Sequence, residues 1–246
     1  MEVARNLGFD GMDLDWEFPE NPKQMLNLSI PFNEWQEAIK AEAKATHRAP
    51  LLLTPAVYFS VDFFLSDVKR SYPVQSINQN LDWINAMCFD FHGSWDTSKT
   101  GAHVALYNPN GNISTSYGLT SWVKAGVYRE KVVMGLPLHG RTWKRKDPNQ
   151  HKIGSDAVGV GPGDDGVLTF AQVEHFNRRT NATVAYDTVY VSAFSFVGTS
   201  WIGYDDVRST RIKVQYALGH GFVGTSFGSS VMTVNGRSLV LGPHRE

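Results

Sequence analysis

Apolar and polar positions follow two periods along this chain, and the period switches where one kind of element gives way to another. Alternating or continuously apolar stretches at about 8–17, 51–58, 84–93, 131–138 and 221–227 predict strands, and helical spacing near 32–46, 116–126 and 206–219 predicts helices. In the first helix Phe32, Trp35, Ile39 and Ala43 fall at helical spacing, as in a helix that packs on a sheet. Strands that alternate with helices predict a parallel α/β sheet. The rhythm breaks between 143 and 200. There a Gly- and Asp-rich loop (Gly159 to Gly166), a short helix near 169–178 and two strand-like runs predict an inserted α+β lobe. The expected organisation is an α/β part over 1–142, the lobe over 143–200, a second α/β part over 201–230 and a tail over 231–246.

The first strand carries the candidate chemistry. Alternate strand residues point to opposite faces, so Asp13, Asp15 and Glu17 share one face while Met12, Leu14 and Trp16 share the other. Neighbouring carboxylates then sit about 6.6 Å apart along the backbone, and their repulsion is expected to raise at least one pKa. A general acid that holds its proton beside an ionised neighbour needs such an environment. Three readings fit the residues: a surface strand with a solvated acidic face, an oxygen-ligand site for Mg²⁺ or Ca²⁺, and paired-carboxylate glycoside chemistry. No second cluster of His and acids is visible along the chain to complete a metal shell.

The string Asp10-Gly-Met-Asp13-Leu-Asp15-Trp-Glu17 matches the pattern D-G-x-D-x-D-x-E of glycoside hydrolase family 18, and the fuller string resembles plant class V chitinases. Further matches follow in the family's order: Leu51-Leu-Leu-Thr-Pro-Ala-Val-Tyr58, Met87-Cys-Phe-Asp90-Phe-His-Gly93, Gly135-Leu-Pro-Leu-His-Gly-Arg-Thr-Trp143 and Trp201-Ile-Gly-Tyr-Asp-Asp206. The resemblance runs over roughly residues 2–224. It implies a (β/α)8 barrel, which typically needs about 250 residues, yet five barrel-type strands are found. The family's acidic motif lies on its fourth strand and its inserted lobe follows the seventh. The expectation is a partial barrel of strands 4–8 equivalents, with Met1 an internal methionine of a longer parent and two sheet edges exposed. Gly228 takes the place of the tryptophan that floors the family's sugar site, and 231–246 matches nothing in the family and is expected to be poorly ordered.

The resemblance also implies a mechanism. Glu17 would protonate the glycosidic oxygen, the substrate's own 2-acetamido oxygen would act as nucleophile, Asp15 would orient the acetamide N–H, and Asp13 would share a proton with Asp15; neither metal nor cofactor is required. Asp10 has the wrong parity and is assigned to the strand entry. Substrate contacts are expected from Phe18, Met87, Phe89, Asp90, Trp95, His139 and Arg141. Phe89 stands where the family's tyrosine hydroxyl bonds the acetamido oxygen, a loss of roughly 1–3 kcal/mol. His139 stands where tyrosine is common and either bonds a sugar hydroxyl or is structural. Arg141 either reaches the sugar or pairs with an acid such as Asp206. Trp16, Trp35, Trp83 and Trp122 are read as packing residues, Trp95 as the leading sugar-stacking residue, with Trp143 and Trp201 behind it. The combined reading is a retaining chitinase of very slow turnover, with a chitin-binding lectin or an inactive fragment as alternatives.

Charge narrows the partners. With 23 basic and 24 acidic side chains the net charge is −1, so no field draws in nucleic acid or an anionic membrane. No run of 18 apolar residues occurs, and the N-terminus lacks a signal-peptide pattern. Cys88, the one cysteine, lies in an apolar strand and reads as a buried inert thiol. Three sequons, Asn27-Leu-Ser29, Asn112-Ile-Ser114 and Asn181-Ala-Thr183, suit a secreted glycoprotein. The resemblance implies a monomer acting on chitin or chito-oligosaccharide in the apoplast, cell wall or vacuole.

Overall fold

The computed structural model describes residues 1–65 and 67–228; the tail at 231–246, expected to be poorly ordered, lies outside the described residues. In chain order the elements are α1 (Glu2–Leu7), β1 (Gly11–Asp15), α2 (Pro22–Asn27), α3 (Ser29–Thr46), β2 (Leu52–Tyr58), β3 (Asp62–Leu65), β4 (Val68–Ser71), α4 (Val74–Asn80), β5 (Ile84–Met87), α5 (Thr115–Lys124), β6 (Val132–Pro137), β7 (His139–Arg145), β8 (Ala157–Val160), β9 (Val167–Thr169), α6 (Phe170–Thr180), β10 (Thr183–Asp187), β11 (Ser192–Val197), β12 (Ser200–Tyr204), α7 (Val207–Gly219) and β13 (Gly224–Gly228). They form two compact units. The first comprises Met1–Met87, Gly118–Met134 and His220–Gly224, and the second Cys88–Tyr117, Gly135–Gly219 and the stretch from Thr225. No helix among the described residues is long and apolar enough to cross a membrane.

The five expected barrel strands are present and form one sheet in the order β1-β2-β5-β6-β13, so the first and last of them are its outermost strands. The pairings of β1 with β2, β2 with β5 and β5 with β6 are parallel. Their buried side chains, Leu53, Val57, Ile84, Ala86, Val132 and Met134, supply much of the first unit's core, and α3 adds Phe32 and Ile39. Two packing assignments are corrected: Trp35 is 36% and Trp16 45% exposed. Trp16 follows the last residue of β1, where the ladder no longer dictates its face.

Helix α5 enters the first unit through a close backbone approach. A Cβ on Gly118 would collide with the Phe59 carbonyl oxygen, and that same oxygen accepts a hydrogen bond from Trp122 Nε1 at 3.1 Å. Ser121 Oγ accepts from the Val61 N–H at 3.1 Å. Gly118→Ala is therefore expected to cost about 1–3 kcal/mol through overpacking, read as a lower urea midpoint at unchanged slope; an unchanged midpoint would contradict the approach.

In the second unit an antiparallel sheet runs β10-β11-β12-β7-β8, with β9 also beside β7. It begins at His139 and ends at Tyr204, so it reaches beyond 143 and 200 on both sides, because residues Arg141–Lys144 of β7 pair with Ser200–Gly203 of β12. Two strand-like runs were expected in the lobe. The additional strands are short, and β8, β9 and β12 have only three to five residues each, too few to show a period. Helix α6 starts with a capping box, in which Thr169 and Gln172 satisfy each other's backbone N–H. Trp143 and Trp201 are fully buried and donate to the carbonyls of Asp96 and His151. They are core residues of this sheet and not sugar platforms.

Candidate active site

The first unit holds the acidic strand. Strand β1 ends at Asp15, so Asp13 and Asp15 share a sheet face as expected, whereas Glu17 lies beyond the ladder. All three are exposed, and Met12 and Leu14 are half-buried. Register sets Asp13 beside Thr54 of β2, and aligns Asp15, Ala56 and Asn85 across three strands. Asp13 Oδ1 accepts from Thr54 Oγ1 and from Asn85 Nδ2 at 3.0 Å. Trp83 Nε1 donates to Asn85 Oδ1 at 3.2 Å, which turns the amide N–H₂ toward Asp13. Asp13 stays exposed by surface area, yet protein atoms around its carboxylate make desolvation the largest influence on it. Its pKa is raised, by desolvation first and by the Asp15 charge in addition, against the lowering hydrogen bonds from Thr54 and Asn85. The expected shift is thus present, but repulsion is its smaller cause.

Phe18 follows Glu17 through a cis peptide bond and sits in an aromatic group. Its ring meets Tyr58 edge-on at 5.3 Å and Phe63 at 5.5 Å, and Tyr58 stacks on Phe63 at 4.4 Å. The backbone N–H of Tyr58 donates to the Tyr72 hydroxyl at 3.0 Å. Burial raises the Tyr72 pKa, with the charges of Glu17 and Asp15 adding to it. Phe18 therefore anchors the residue next to the acid. Met87, half-buried at the end of β5, pairs in register with Tyr58.

The second unit gathers the other candidates around Asp90. Strand β5 ends at Met87, so Phe89 and Asp90, expected within a strand over 84–93, lie past its end, and Asp90 adopts φ 56, a left-handed backbone in which a ladder does not continue. Arg141 grips Asp90 bidentately, Nε to Oδ1 at 2.8 Å and Nη2 to Oδ2 at 2.7 Å. The alternative partner Asp206 instead caps α7, accepting from the Ser209 N–H at 2.7 Å. His139 Nε2 lies 2.8 Å from Asp90 Oδ1, and His103 Nδ1 lies 3.3 Å from the same oxygen without the geometry of a hydrogen bond. Both imidazoles are 0% exposed, so His139 faces Asp90 within the protein rather than solvent. Burial pushes the Asp90 carboxyl up, but Arg141, His103 and His139 together outweigh it and hold the pKa well below the usual range.

A cluster of His and acid does exist, then, although it was not visible along the chain. Asp90, His103 and His139 offer ligand atoms within 4.8 Å of one another. The donor set suits a transition metal, but both Asp90 oxygens already accept from Arg141, and a cation there would share the space with a guanidinium charge. The residues fit a charge-stabilised carboxylate better than a metal shell.

The same cluster sets a pH dependence. Burial lowers the His103 pKa from 6.5 to about 4 despite Asp90 beside it. Between those values the unfolded chain binds a proton that the folded chain does not, so stability falls as pH drops from about 6.5 to about 4. Asp90, also depressed, continues the loss in acid, while Asp13, raised, acts in the opposite sense. Urea midpoints across this window are expected to slope less in His103→Gln than in the parent; parallel curves would contradict the assignment.

Trp95 is 62% exposed and stands in a loop past the strand end, with the Arg141 guanidinium 5.0 Å from its ring centre. Phe89 meets His139 edge-on at 6.0 Å and brings no hydroxyl. Cys88 is buried with its thiol pushed up to about 12 by burial, the inert state expected. Thr54, Asn85, Trp83 and His103 were not singled out as site residues. The first three had a usable signal, since Thr54 pairs with the acid strand and Trp83, Asn85 and Met87 alternate in sequence just before and along β5. His103, in a loop without periodicity, had none.

Comparison with known proteins places these features. The profile of glycosyl hydrolases family 18 matches residues 1–227. The class V chitinase CHIT5a of Medicago truncatula is 48% identical over 229 residues, 92% of this chain and 59% of that protein. A chitinase from Cycas revoluta, solved in complex with (GlcNAc)3, superposes with a TM-score of 0.86 at 43% identity, over 92% of this chain and 65% of the other. The chitinase-like agglutinin RobpsCRA from Robinia pseudoacacia superposes at 0.80 with 33% identity, over 92% of this chain and 64% of its own. The chain thus spans about three fifths of the length of the curated relatives it matches, and its fold is that of part of the (β/α)8 barrel, five barrel-type strands in one sheet, with an inserted α+β lobe.

Proposed function

From membership of glycosyl hydrolase family 18, to which this chain belongs, we propose that it hydrolyses β-1,4-linked N-acetylglucosamine chains with retention of configuration. The observation that carries this reading is the acidic face of β1 with Glu17 two residues past its end. Glu17 gives its proton to the glycosidic oxygen as the bond to the anomeric carbon breaks. The 2-acetamido oxygen attacks that carbon and forms a cyclic oxazolinium ion; water then opens it, losing a proton to Glu17. Asp15 holds the acetamide N–H and carries charge against the cation, and Asp13, whose pKa desolvation raises, shares a proton with Asp15. Asp90, fixed as an anion by Arg141, accepts from sugar hydroxyls, and the open face of Trp95 stacks on a pyranose ring. His139 supports Asp90 from behind.

We place the protein outside the cytoplasm, in the apoplast, cell wall or vacuole, as a monomer that degrades chitin in plant defence; its three sequons are what support export. A second reading, a chitin-binding agglutinin without turnover, is favoured by Phe89, which lacks the aligning hydroxyl, and by the likeness to the Robinia agglutinin. Hydrolysis of chitotetraose followed by proton NMR in the presence of EDTA tests the proposal. The expected result is a β-anomer as the first-formed product at an unchanged rate. A first-formed α-anomer, or activity removed by EDTA and restored by Mg²⁺ or Ca²⁺, would overturn it.

A further inference from the structure

We propose that Asn181 is an N-glycan acceptor, and that the sequons at Asn27 and Asn112 are not; the inference rests on the export reading above. The three sequons are equivalent as strings but not in the fold. At Asn27, the hydroxyl of Ser29 donates to the Leu26 carbonyl at 2.7 Å, and Leu28 between them is 3% exposed, so the tripeptide is folded into the junction of α2 and α3. At Asn112, Ser114 is 2% exposed, its Oγ sharing a hydrogen with Ser116 and accepting from the Tyr117 N–H. At Asn181 both groups that the reaction needs are open. Asn181 ends α6 in a left-handed turn with φ 51, and both it and Thr183 are exposed. Among the described residues no hydrogen bond engages either side chain.

The location tolerates bulk. Thr183 begins β10, the outermost strand of its sheet, whose neighbour Val184 is 54% exposed. A glycan there would stand beside an open strand edge of the kind that proteins commonly cover. In the reaction the Asn181 amide nitrogen attacks the anomeric carbon of a lipid-linked oligosaccharide diphosphate. An N-glycosidic bond forms, the bond from that carbon to the diphosphate oxygen breaks, the lipid diphosphate leaves with the electron pair, and the amide nitrogen loses a proton. No oxidant or metal-bound group of this chain takes part.

The test expresses the full chain behind a cleavable secretory leader, with an acceptor tripeptide appended at the C-terminus to report entry into the secretory pathway. Glycosidase release in ¹⁸O-water then marks each occupied asparagine by mass. The expected result is label at the tag and at Asn181, little at Asn27 or Asn112, loss of the Asn181 label in both Asn181→Gln and Thr183→Ala, and its retention in Thr183→Ser. A labelled tag with bare Asn181 overturns the inference while leaving export standing, as does preferential label at Asn27 or Asn112. A bare tag, in a chain that remains accessible to cytosolic protease, overturns the export reading itself.

Discussion

Glu17→Gln is expected to lower turnover of chitotetraose by about two to four orders of magnitude, the range that a positioned general acid contributes. The substitution keeps the shape of the side chain and removes the one proton that the leaving oxygen requires. Placement favours an effect on chemistry over one on folding. Glu17 is exposed and lies past the end of β1, while the adjoining backbone is held by Phe18 against Tyr58 and Phe63. Affinity for the tetrasaccharide, measured by calorimetry on the same preparation, should change little. Turnover at the parent rate would remove Glu17 from the acid's role, and a fall in affinity matching the fall in rate would recast it as a binding residue.

The second large effect belongs to stability. Lys213→Met is expected to destabilise the fold by about 3–5 kcal/mol, the cost of breaking a buried ion pair by removing one partner. Lys213 on α7 lies 2.6 Å from each carboxylate oxygen of Asp205 and donates to the Val104 carbonyl, with both side chains at most 3% exposed. Burial raises the Asp205 pKa and lowers that of Lys213, so each drives the other's cost if left alone. The pair Asp205→Leu with Lys213→Met should recover much of the loss, because apolar replacement of both partners removes the uncompensated charge. Without Lys213 the Asp205 pKa rises further, and a carboxyl raised in the fold regains stability as it takes up its proton, so the single variant should lose less stability in acid than the parent. Additive single and double variants would argue against coupling.

Much of the fold was legible because barrel strands and their helices are long enough to show a period. The strands at 51–58 and 131–138 match β2 and β6 to within a residue, and the helix near 206–219 matches α7. What escaped is short or held from outside. Helices α1, α2 and α4 have six or seven residues, and the β3–β4 hairpin has four in each strand; such lengths hold less than two full turns or too few alternations to detect. In the candidate site, the acids on β1 were readable because parity alone assigns a face. The environment of Asp90 was not, since Arg141 and His139 come from β7 and His103 from a loop, and only the tertiary fold brings them to one carboxylate. Parity also overreached: it carried Glu17 onto the strand and Asp90 onto β5, whereas both ladders end earlier. Trp143 and Trp201 misled for a related reason, as aromatic rings suit a sugar face and a sheet core equally until burial decides.

The central claim is that the substrate's own acetamido group supplies the nucleophile while Glu17 supplies the proton. It is tested most directly by comparing turnover of chitotetraose with that of its fully de-N-acetylated counterpart on the same protein under the same conditions. The result expected is cleavage of the acetylated tetrasaccharide alone. Equal cleavage of both would show that the nucleophile lies elsewhere, and tight binding of chitotetraose without cleavage would replace the hydrolase with the agglutinin.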